Sequence, residues 1–109
     1  MLTVKYHAGP DVLSIDMDGH AGTAPKGQDL VCAAGSILAY TIAACINPTD
    51  PLAKIDINPG STHISCSYNY QSLAQFDTVA GGFRLLAGAY PNHVKFICSG
   101  GVEDTDVRG

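Results

Sequence analysis

The sequence predicts a two-layer α+β sandwich, with two helices packed on a mostly antiparallel sheet. Three observations lead there. Five short runs alternate apolar and polar residues, two longer runs repeat every three to four residues, and together they follow the order ββαββαβ. At 109 residues the chain makes one domain, 1–109. A chain of this size buries roughly 65% of its unfolded surface, enough for one core without disulfides or metals.

In the first strand, Leu2, Val4 and Tyr6 alternate with Thr3, Lys5 and His7. Ala8-Gly9-Pro10-Asp11 turns the chain. Leu13, Ile15 and Met17 then alternate with Ser14, Asp16 and Asp18, so the two runs read as an antiparallel hairpin. Gly19 to Gln28 is a glycine-containing loop. The first helix follows, with an apolar stripe of Leu30, Ala34, Ile37, Leu38, Thr41, Ile42 and Cys45. Asp29 is its predicted N-cap, and Asn47-Pro48 ends it.

Ala53, Ile55 and Ile57 alternate in a third strand, Asn58-Pro59-Gly60-Ser61 is a turn, and Ile64, Cys66 and Tyr68 alternate in a fourth. Ser72-Leu73-Ala74-Gln75 has the form of a capping box opening the second helix. Its stripe is Leu73, Phe76, Val79, Ala80, Phe83, Leu86 and Tyr90. Gly81-Gly82 weakens that helix by about 1 kcal/mol per glycine, which points to close packing there. The last strand is His93 to Cys98, and residues 99–109 read as a loose polar tail.

Composition removes several classes of function. Hydrophobic residues are 46% and charged residues 15%, opposite to a disordered chain. Six Lys and Arg against ten Asp and Glu leave a net charge of −4, with no basic face to displace counterions from nucleic acid. No basic amphipathic run points to a membrane surface. The uncharged run Leu30–Ile46 is short of the roughly 20 apolar residues that span a bilayer, and reads as a core helix. The N-terminus lacks the basic and apolar regions of a signal peptide, so a cytoplasmic location with reduced thiols is expected. The four cysteines form no C-x-x-C, and a zinc site from His20, Cys32 and His63 has no local ligand spacing behind it. No metal or cofactor is expected.

The remaining chemistry concentrates at Cys32 and His20. With Asp29 as N-cap, Cys32 falls in the first helical turn, where orphan N–H groups and the helix dipole favour a thiolate. The Asp29 carboxylate opposes this, so a base or cation must lie nearby. His20 follows the second strand directly after Gly19, and the chain can return from that strand end to the helix start. Imidazole and thiol would then share a proton, as in acyl-transfer enzymes. Ser36 lies one turn after Cys32 on the same helical face. Cys45, Cys66 and Cys98 fall on predicted apolar faces and read as packing residues. His7, His63 and His93 read as solvated strand or edge residues. Two other functions compete with this acyl-transfer reading: a non-catalytic dimeric module binding a peptide or the ribosome, and a thiol redox sensor. The latter lacks a nearby resolving cysteine.

Asp18-Gly19-His20-Ala21-Gly22 and Gly27-Gln28-Asp29-Leu30-Val31-Cys32-Ala33-Ala34-Gly35-Ser36 resemble the Prp family, the ribosomal-processing cysteine proteases of Firmicutes and relatives. The resemblance implies a catalytic dyad of His20 and Cys32, with Gly19, Gly22, Asp29 and Ser36 at supporting or substrate-binding positions. It implies a homodimer. It also implies a narrow substrate, the N-terminal extension of a large-subunit ribosomal protein (L twenty-seven), cut after a hydrophobic motif containing phenylalanine, or a phage capsid or scaffold protein. The family loop between the dyad residues is mobile. Here it is residues 21–28, less acidic at its centre and containing Pro25. The apolar stretch Tyr40 to Ile46 is unusual for the family and suits a partner interface.

Overall fold

A computed structural model describes residues 1–22 and 29–100. Its elements are β1 (Leu2–Ala8), β2 (Val12–Asp18), α1 (Leu30–Cys45), β3 (Lys54–Asn58), β4 (Ser61–Ser67), α2 (Tyr70–Ala89) and β5 (Val94–Gly100). The predicted order ββαββαβ is therefore the observed one. The five strands form one mixed sheet in the order β3-β4-β2-β1-β5. Only the β1–β5 pair is parallel; β1–β2, β2–β4 and β3–β4 are antiparallel.

One face of the sheet carries the core. Leu2, Val4, Tyr6, Leu13, Ile15, Met17, Ile64, Cys66 and Val94 are buried against Val31, Ala39, Ile42, Phe76, Val79, Ala80 and Phe83 of the helices. These are the inward positions of the alternating strands, which is why period two placed them correctly. Tyr6 stacks on Phe76 with ring centroids 6.3 Å apart. Its hydroxyl donates to Asp77 Oδ1 at 2.6 Å, tying β1 to α2. Burial and the Asp77 carboxylate hold the tyrosine proton well above its ordinary range.

The structure corrects four expectations. The buried side of α1 is Val31, Gly35, Ala39 and Ile42, whereas Leu30 and Ile37 of the predicted stripe are 80% and 62% exposed. Close approach explains the rotation: a Cβ on Gly35 would lie 3.3 Å from both Leu2 Cδ2 and Met17 Cε. Small residues thus face the sheet, and hydropathy periodicity undercounts them. The second correction is at α2, which starts before Ser72. Asn69 is the N-cap and accepts from the Ser72 N–H at 2.9 Å. Tyr70 in the added turn is 90% exposed, so this turn contributes nothing to an apolar stripe. Third, β5 continues through Ser99 and Gly100, paired with His7 and Ala8. Residues 101–109 of the expected tail lie outside the described residues. Last, Cys66 is buried as expected, but Cys45 and Cys98 are exposed. Cys45 ends its helix on the solvent side, and the β5 edge leaves Cys98 uncovered.

The expected packing at Gly81-Gly82 holds at one of the two. A Cβ on Gly82 would lie 2.7 Å from Leu38 Cδ2, whereas one on Gly81 would meet nothing within 4 Å. Among the described residues no helix is long and apolar enough to cross a membrane.

Candidate active site

The chain leaves β2, the central strand, at Asp18 and re-enters regular structure at α1, so the end of β2 and the start of α1 meet at one end of the sheet. Gly19 makes the exit. Its φ is +90°, its N–H donates to Gly60 O at 2.9 Å, and a Cβ there would lie 2.4 Å from Met1 O. No side chain fits that position.

Asp29 caps α1 as expected and does more. Its Oδ1 accepts the Cys32 N–H at 2.9 Å, and its Oδ2 accepts the Gly22 N–H at 3.1 Å. One carboxylate therefore joins the strand-exit loop to the first helical turn. Gly22, with φ +72°, turns toward it in the left-handed region that glycine favours. The Cys32 thiol is half-buried, and the Ala21 N–H donates to its sulfur at 3.2 Å. A backbone donor aimed at sulfur stabilises negative charge there.

His20 is exposed and lies against the β3–β4 turn, where a Cβ on Gly60 would come within 3.0 Å of the imidazole Nε2. His20, Cys32 and Ser36 all line one cleft of about 270 Å³. Gly19, Met17, Tyr40 and the turn residues Ile57 to Thr62 complete its wall. Among the described residues no hydrogen bond links the His20 ring to the Cys32 thiol; they share the cleft. Residues 23–28 between them lie outside the described residues.

Two site contributions were not legible in the sequence. Gly60 was read only as part of a turn, yet it forms the floor under His20. His93, read as a solvated edge residue, is half-buried and hydrogen-bonds through Nδ1 to Ala21 O at 3.0 Å. Its partner lies on the far side of the sequence, so no local spacing signals it.

A second polar cluster sits away from the cleft. His63 Nδ1 lies 2.5 Å from Asp16 Oδ1, and His63 Nε2 lies 3.1 Å from Ser65 Oγ. The atom order resembles a serine hydrolase triad. However, β4 is paired on both sides, so its N–H groups are committed to the sheet and supply no oxyanion site. The cluster is a cross-strand polar network, and His63 takes part in it rather than approaching Cys32 as a zinc ligand.

Comparison with known proteins gives the family and the fold. Residues 1–95 match the family described as cysteine protease Prp. The chain belongs to the Prp family of cysteine proteases. Among solved structures it is similar to the essential ribosomal processing protease Prp from S. aureus in complex with a covalently linked product peptide. That likeness has a TM-score of 0.76 at 24% identity, covering 91% of this chain and 100% of the other. The S. aureus Prp in complex with a substrate peptide gives 0.70 at 23%, with the same coverage. SMU.848 from Streptococcus mutans gives 0.67 at 21%, covering 93% of this chain and 96% of the other. These likenesses support the sandwich fold. No curated protein matches the sequence.

Proposed function

We propose that this Prp-family cysteine protease removes the N-terminal extension of a large-subunit ribosomal protein (L twenty-seven), using His20 and Cys32 as its dyad. The observation that carries the reading is the shared cleft: the first-turn thiol and the strand-exit imidazole both face it. The S. aureus relative, named as an essential ribosomal processing protease and solved with a substrate peptide, supports the substrate class.

In this mechanism the exposed His20 ring takes the Cys32 proton. The thiolate adds to the scissile carbonyl carbon, and the carbonyl electron pair moves to oxygen. Collapse breaks the C–N bond, and His20 returns the proton to the leaving amine. Water, deprotonated by His20, then adds to the thioester and releases the new carboxylate and the thiol. The Ala21 N–H donates to the reacting sulfur. Ser36 lines the same cleft.

The test is incubation with the precursor protein and with a peptide spanning its extension, read by mass spectrometry. Cleavage is expected at one bond, absent in Cys32→Ala and reduced about 10²- to 10⁴-fold in His20→Ala. Cleavage that persists in Cys32→Ala overturns the assignment. Binding without cutting by the wild type would make the chain a peptide-recognition module instead. We also propose a cytoplasmic homodimer. The exposed apolar residues Leu30, Ile37 and Tyr40 on α1 support association, and sedimentation of the wild type against Ile37→Asp and Tyr40→Asp checks it.

A further inference from the structure

His93 immediately precedes the edge strand β5, yet its side chain reaches the loop beside Cys32. The Ala21–Gly22 peptide unit is gripped from both ends. Its carbonyl oxygen accepts from His93 Nδ1 at 3.0 Å, and its N–H donates to Asp29 Oδ2 at 3.1 Å. The next N–H toward the N-terminus, that of Ala21, is the one aimed at Cys32 Sγ at 3.2 Å. A carbonyl oxygen can only accept, so His93 Nδ1 carries the hydrogen and donates. The histidine backbone is itself fixed. Its carbonyl accepts the Leu2 N–H at 2.8 Å, and its N–H donates to Tyr90 O at 2.9 Å.

We infer that His93 is a positioning residue for the protease: through the Ala21 carbonyl it holds the Ala21 N–H on the Cys32 sulfur. The argument is geometric. Asp29 alone pulls the Ala21–Gly22 peptide toward the start of α1, and a single hydrogen bond leaves that plane free to rotate about the bond axis. The second anchor on the opposite end removes that freedom. With that plane set, only φ and ψ of Ala21 separate it from the Ala21 N–H, which is directed at the sulfur. His93 thus fixes a donor through the carbonyl of the same residue. The inference rests on Cys32 being the nucleophile, and it deepens that reading by assigning the support of its backbone donor.

The experiment measures the reactivity of Cys32 without any peptide substrate, so its outcome is separate from the identity of the substrate. Wild type, His93→Leu, His93→Gln and His93→Asn are treated with iodoacetamide at one neutral pH, and modification of Cys32 is followed by site-resolved mass spectrometry. Asn places its amide nitrogen close to the position of Nδ1, whereas Gln places it near Nε2, too far along to serve Ala21 O. Leu and Gln variants are expected to alkylate Cys32 about fivefold to tenfold more slowly, the scale of one weakened charge-assisted hydrogen bond. The Asn variant is expected to stay within about twofold of wild type. Alongside, the Ala21 amide resonance should shift in the Leu and Gln variants and return in the Asn variant. Equal rates in all four proteins overturn the inference. So does slowing in the Asn variant equal to that in the Gln variant, because a merely structural role would not distinguish the two amides. The Gln and Asn variants keep a polar side chain at this half-buried position and carry the test if the Leu variant fails to fold.

Discussion

Single residues set the chemistry and one pH limit. At Gly60 the φ of +75° disfavours any L side chain, and an added Cβ would press on the His20 ring from 3.0 Å. Gly60→Ala should therefore lower kcat/KM on the precursor peptide about tenfold to hundredfold by displacing the imidazole. A second residue, Asp50, fastens the loop after α1 to the end of β4. Its carboxylate accepts from Ser67 Oγ at 2.6 Å, from Ser67 N at 2.8 Å and from Leu52 N at 2.9 Å. These bonds, led by the Ser67 hydroxyl, hold its carboxyl below the usual carboxylate range. A carboxyl that ionises more readily folded than unfolded contributes stability above the ordinary value of about 3.9 and loses it as pH falls through the lower folded value. Asp50→Asn should thus unfold at lower urea than wild type at pH 7, and the two midpoints should converge in acid. Cysteine alkylation gives a parallel check on accessibility. Burial pushes the Cys66 thiol up, so Cys66 should label far more slowly than exposed Cys45 and Cys98.

Elements differ in how much of them the sequence displays. Strands were legible because the apolar residues of β1 and β2, all but Val12, face one side, and period two reads that directly. Helix α1 was legible in extent and cap but not in orientation. Its sheet-facing residues Gly35 and Ala39 are small because the helix lies close, and hydropathy carries no record of that distance. The α1–α2 contact shows the same physics and gives a paired test. Gly81→Ala meets open space and gains helix propensity, so it should stabilise the protein by about 1 kcal/mol in urea titrations. Gly82→Ala drives a methyl group into Leu38, which should cancel that gain or reverse it.

The whole molecule builds one cleft from pieces distant in sequence. Crossing from β2 through α1 to β3, and from β4 through α2 to β5, brings Gly19 to Gly22, the start of α1, the β3–β4 turn and His93 together. His20, Cys32, Asp29 and Ser36 were visible beforehand because they lie within one local segment whose spacing carries information. Gly60 and His93 were not, since only the strand order delivers them. The core that holds these pieces is small, with Phe76 and Phe83 its largest fully buried side chains. Phe83→Ala should cost about 3–5 kcal/mol, a large share of a domain's usual 5–15, and be seen as a steep fall in the urea midpoint. The two-oxygen grip of Asp29 means that one side chain fixes both the strand exit and the helix start, so the two cannot part without breaking a bond to it.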